Sequence, residues 1–146
     1  MTTSVDKNLL ALDVGSKRIG VALVSLITKL PKPLTTIDAE SDSIAQIQEL
    51  VDQEDISAII IGLPRNLSGE DTEQTKTVRD YGHKVEVATK LPIYWQDEAL
   101  TSQKAEEELR SRGVGYNKEH VDALAATYIL SDFLSEQREA ELQWDM

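Results

Sequence analysis

Apolar residues occur along this chain either in short unbroken runs or at spacings of three and four, and the two patterns alternate. Asn8 to Asp13 is a run that ends on an acid, and Arg18 to Ser25 is a second, β-branched run after a Gly15 turn. Both read as strands, the second central in its sheet and paired to the first through the turn. Pro31 and Pro33 mark a loop, and Leu34 to Ile37 reads as a short third strand. From Ser41 to Gln53 the pattern changes to Ile44, Ile47, Gln48 and Val51 at helical spacing, with acids outward. Ser57 to Gly62 is unbroken again, as expected of a strand covered on both faces. A loop is expected over Leu63 to Gly69, then a capping box at Ser68-x-x-Asp71 opening a helix to Thr89. Its inward positions would be Thr75, Val78, Gly82 and Val85. Pro92 to Asp97 reads as a fifth strand, and Thr101 as the N-cap of a helix reaching Arg112, broken by Gly113 and Gly115. A last helix is expected from Lys118 to Ser135, with Asp122 in its first turn and a fraying tail beyond Glu136.

The order β-β-β-α-β-α-β-α-α implies a mixed α/β sheet with helices on its faces. A three-strand antiparallel meander would be extended by two parallel strands. The 146 residues suffice for one domain, expected over residues 8–135 between a flexible segment 1–7 and an acidic tail 136–146. The chain has no cysteine, so disulfides, thiolate metal sites and thiol nucleophiles are excluded. The start is polar and no apolar stretch approaches the ~20 residues that span a bilayer, so a soluble, cytoplasmic protein is expected.

Net charge is −11, which opposes strong non-specific binding to nucleic acid. The charge is concentrated, however. Asp38 to Asp55 holds seven acids and no Lys or Arg, and Leu134 to Met146 holds four acids and one Arg, leaving −1 for the remainder. Local cationic contacts with a polyanion therefore stay available.

Three acids stand in positions that call for a reason. A carboxylate closing a buried strand costs several kcal/mol unless something pairs with it, and Asp13 is so placed. Glu98 follows the fifth strand and Asp122 begins an apolar helix. A shared divalent cation, Mg²⁺ or Mn²⁺, would account for all three. Taken singly each has a plainer reading: a turn residue, a solvated acid ahead of a helix, and an N-terminal acid favoured by the helix dipole. Asp97 reads as an outward acid, His83 and His120 as surface residues, and Trp95 and Tyr128 as core. Trp144 has no assigned role.

Four blocks resemble the YqgF family of RNase H-like proteins. They are Leu10 to Ala22 around Asp13-Val14-Gly15-Ser16-Lys17-Arg18, Ile61 to Leu67, Asp97 to Ser102, and Val121 to Ala126. They arrive in the family's order and spacing and cover roughly residues 8–135. That family is described as Holliday-junction-resolvase-like and as nucleases of the small-subunit rRNA precursor. The resemblance implies an RNase H-like five-stranded sheet and a two-metal nuclease with Asp13, Glu98 and Asp122 as metal-binding, catalytic acids. It further implies substrate contacts from Lys17, Arg18, Arg65, Asn66 and Thr101. Pre-rRNA, cut near the 5′ end of 16S rRNA, is the implied partner, with a DNA junction as alternative, and a monomer or weak homodimer as the acting form. Two departures from the family pattern remove affinity for a polyanion. Ala99 stands where the family carries Arg, and Ser68 to Glu73 is acidic where the family has a Gly-rich stretch. A catalytically weak RNA- or protein-binding module of the same fold is the non-enzymatic alternative. An actin-like ATPase is the remaining one, and it needs a second lobe that this length does not supply.

Overall fold

The computed structural model describes residues 7–66, 68–98, 101–113 and 117–144, with backbone only at 101–104, 106 and 138–144. Five strands form one sheet in the order β3-β2-β1-β4-β5. They are β1 Asn8–Val14, β2 Arg18–Ser25, β3 Lys32–Asp38, β4 Ile56–Pro64 and β5 Ile93–Glu98. β1 pairs antiparallel with β2, and β2 with β3, whereas β4 runs parallel to both β1 and β5. The expected meander plus two parallel strands is the observed sheet. The helices are α1 Ser43–Gln53, α2 Glu73–Thr89, α3 Thr101–Ser111 and α4 Lys118–Trp144.

Side chains alternate across a pleated strand, and that alternation sorts the core into two layers. Leu10, Leu12, Ile19, Val21, Ile59 and Ile61 face α1 and α2, packing against Ile47, Val78 and Val85. Leu9, Ala11, Ala22, Val24, Ala58 and Ile60 face α4, packing against Ala126, Ile129 and Leu130. The α4 face is built largely of small residues. Gly20 and Gly62 extend the series, and a Cβ at either would run into α4, at Asp122 or at Ile129. The helix therefore lies unusually close to the sheet, a use of glycine within strands that fits close approach of another element. α3 packs on the outer side of α4 through Ala105, Leu109, Val121, Leu124 and Ala125.

Several boundaries differ from expectation. β4 runs two residues past Gly62 because Leu63 and Pro64 pair with Asp97 and Glu98 of β5, so the following loop starts at Arg65. α2 is capped by Thr72 and not by Ser68. Thr72 and Thr75 exchange reciprocal side-chain to backbone bonds, while Ser68 and Glu70 donate their N–H groups to the Asn66 side chain. The four inward positions of α2 are buried as expected. Asn117 caps α4 by accepting from His120 N at 3.0 Å, which puts Asp122 in the second turn, one turn later than expected. α4 also continues to Trp144 through the stretch expected to fray. Glu, Gln, Arg, Ala and Leu dominate there, and all are good helix formers. The segment 1–6 and the break at Gly115 lie outside the described residues. Among the described residues no helix is long and apolar enough to cross a membrane.

Candidate functional site

The carboxyl ends of β1 and β5 and the start of α4 meet at one corner of the sheet. Asp13 shares strand parity with Leu9 and Ala11, so it rises from the α4 face. Glu98 shares parity with Gln96, whose amide donates to Glu136 of α4 at 3.1 Å, so it rises from the same face. Asp97 has the opposite parity and pairs on the other side with Arg65 at 3.4 Å. Asp122 is delivered from above. Gly20, directly across from Asp13 in the β1–β2 ladder, lets the Asp122 backbone settle on the strand. Gly62 plays a similar part for Glu98, because a Cβ there would lie 3.1 Å from Glu98 Oε2.

Glu98 and Asp122 are close enough to disturb Asp13. The Asp13 and Glu98 side chains are within hydrogen-bonding reach of each other. Burial, first, and then the Glu98 and Asp122 charges push the Asp13 carboxyl well above its ordinary 3.8. Asp122 is balanced differently, since Arg18 Nε donates to its Oδ2 at 2.6 Å. Arg18 opens β2 on the same face as Gly20, after a tight turn closed by Gly15 N–H donating to the Arg18 carbonyl at 2.9 Å.

Hard carboxylate oxygens with surplus negative charge suit a divalent cation such as Mg²⁺ or Mn²⁺ in atom type and charge. As the side chains stand, no group of three His, Cys, Asp or Glu among the described residues surrounds a single point. Asp122 is turned to Arg18, so an ion at this corner would compete with that guanidinium for it. The donor set fits in charge and atom type, and the Arg18 guanidinium supplies one positive charge beside it.

Of the residues singled out from the sequence, the structure brings together Asp13, Glu98, Asp122 and Arg18. Lys17 is exposed in the adjoining turn, where its carbonyl accepts from Ala39 N at 2.9 Å. Arg65 lies beyond the end of β4 and is held by acids, 3.2 Å from Asp71 and 3.4 Å from Asp97. Asn66 folds its own loop by accepting from three groups, the N–H and hydroxyl of Ser68 and the N–H of Glu70. Thr101 opens α3, its side chain outside the described residues, as is Ala99. Trp95 is part of the core against α2, with the Arg79 guanidinium 5.6 Å over its ring. Tyr128 packs against the α3–α4 core, and His83 and His120 are exposed. Sequence reasoning missed Gly20, Gly62 and Gln96. A glycine inside an otherwise apolar strand was the available signal for the first two.

The family described as "RuvX: Holliday junction resolvase" matches residues 7–136. A relative from Chloroflexus aurantiacus is 39% identical over 137 residues, covering 91% of this chain and 90% of its own. One from Crocosphaera subtropica is 40% identical over 133 residues, covering 88% and 93%. Both bear the name "Putative pre-16S rRNA nuclease". Among solved structures, Thermus thermophilus RuvC in complex with Holliday junction substrate superposes with a TM-score of 0.59. It is 14% identical and covers 90% of this chain and 96% of its own. At that identity the likeness concerns the fold, which is RNase H-like.

Proposed function

Because the chain belongs to the RuvX (YqgF) family, we propose that it is a metal-dependent nuclease that hydrolyses phosphodiester bonds in structured RNA, trimming the 5′ end of the 16S rRNA precursor. The observation that carries this reading is the convergence of Asp13, Glu98 and Asp122 on one corner, with Arg18 among them. Asp13, Glu98 and Asp122 would hold Mg²⁺ or Mn²⁺. Bound there, such ions would activate water and stabilise charge on the entering and leaving oxygens of the phosphodiester. The chain's own part is to fix the acids on rigid elements and to bind the backbone beside them. The Arg18 guanidinium matches a phosphate's geometry, and Lys17 adds a positive charge in the turn. On a chain of net charge −11 this local pair, and not a broad basic surface, must hold the RNA. Arg65 is the weaker candidate for a phosphate contact, since it already pairs with two acids.

All three acids come from one chain, so a monomer contains a whole site, and the cytoplasm, where precursor rRNA is found, is the proposed compartment. Cleavage of a DNA four-way junction is the second reading, favoured by the family's description. The test compares a precursor-end RNA with a four-way DNA junction under Mn²⁺ or Mg²⁺, using wild type and Asp13→Asn. Cutting of the RNA, abolished in the variant, is expected. Cutting of the junction alone would move the function to recombination. Cleavage that survives Asp13→Asn would refute the mechanism.

A further inference from the structure

We propose that Arg18 is an exchangeable counter-ion: it holds Asp122 while the acid cluster lacks a divalent ion, and is released toward the substrate phosphate when the ion binds. This rests on the reading of Asp13, Glu98 and Asp122 as the ion's ligands and concerns how that site is loaded.

The placement is specific. Arg18 and Gly20 stand two residues apart on one face of β2, and Gly20 carries the Asp122 backbone against it. Pinned there, Asp122 can change partner by rotating its side chain without moving its helix. Arg18 is free to leave, because its side chain is one-third exposed while that of Asp122 is only one-fifth exposed. Its bond to Asp122 is charge-assisted and short at 2.6 Å, and therefore a real competitor for the carboxylate. Ion binding and phosphate binding would then favour each other through one residue, by the reciprocity of linked equilibria.

The test is Mn²⁺ affinity of the full chain, read from the electron paramagnetic resonance signal of free Mn²⁺. Wild type, Arg18→Gln, Arg18→Lys and Asp122→Asn are compared after each is shown by circular dichroism to be folded. Removing the competitor should tighten Mn²⁺ binding about tenfold in Arg18→Gln, the scale of one charge-assisted hydrogen bond. Arg18→Lys, which keeps a cation within reach, should return toward wild type, and Asp122→Asn should bind weakly. A second readout uses a non-cleavable 2′-O-methyl oligonucleotide. Mn²⁺ should tighten its binding to wild type and have no such effect on Arg18→Gln. If wild type binds Mn²⁺ and Arg18→Gln binds it equally or less well, the counter-ion role is wrong while the nuclease reading stands. If wild type and every variant fail to bind Mn²⁺, both are overturned.

Discussion

Replacing Gly20 by alanine tests the link between sheet packing and the acid corner with the smallest possible change. The added Cβ would penetrate the Asp122 carbonyl and lie 3.0 Å from the Ala123 nitrogen, where ordinary contact begins at 3.4 Å. Both neighbours are backbone, so no side-chain rotamer relieves the overlap. α4 must back away from β2 by about 1 Å, and overpacking of this kind costs up to about 3 kcal/mol. The opposing gain from stiffening the unfolded chain is at most about 1 kcal/mol. The net loss is therefore about 2 kcal/mol, or a fall of about 1 M in the urea midpoint for a slope of about 2 kcal/mol/M. Because the retreating residue is Asp122 itself, nuclease activity should fall about a hundredfold, the scale of a 1 Å misplacement. The assays are urea unfolding and single-turnover cleavage on the same preparation. Gly62→Ala provides the contrast, since its main clash is with the movable Cδ1 of Ile129 at 2.5 Å, and it should lose less stability. Wild-type stability together with wild-type activity in Gly20→Ala would refute the idea that this glycine sets the position of Asp122.

Asp13 gives a pH prediction. Its carboxyl is raised in the fold by burial and by the neighbouring acids, so metal-free wild type has this residue's full stability below pH 3.8 and loses it as pH rises through the raised value. In chelator, Asp13→Asn should melt higher than wild type at neutral pH, with the gap closing on acidification. A difference in melting temperature that is flat with pH would contradict it. Thr75 is fully buried and bonds both the Thr72 cap and the Pro64 carbonyl. Thr75→Val should cost about 1–2 kcal/mol in urea unfolding; an unchanged midpoint would show the cap to be idle. Tyr81→Phe removes the 2.7 Å bond to buried Ser43 that ties α2 to α1. About 1 kcal/mol should be lost, and addition of Ser43→Ala to the Phe variant should recover part of it.

What was legible in the sequence was whatever local periodicity encodes. The unbroken runs became strands, and Thr75, Val78, Gly82 and Val85 became the buried stripe of α2 because a single helix face dictates them. Boundaries failed where two local solutions competed. Ser68 and Thr72 could each have capped α2, and the Asn66 turn claimed the first. Asp13 could be picked out as a costly strand-end acid without knowing its partners. The Arg18–Asp122 bond could not, because it joins residues 104 positions apart and depends on how closely α4 lies on the sheet. The same holds for Arg65, a cation well placed in the sequence whose charge the fold directs to Asp71 and Asp97.

The chain order of the corner has a consequence for biosynthesis. Asp13 is made on β1, Glu98 later on β5, and Asp122 later still on α4, which also supplies the cover for one whole face of the sheet. A ribosome-bound nascent chain that has completed β5 already holds two of the three acids yet has no corner. Its exposed small-residue face waits for α4. The enzyme proposed here would thus be inert until α4 is made, and a premature stop before Lys118 would leave a product with neither a site nor a closed core.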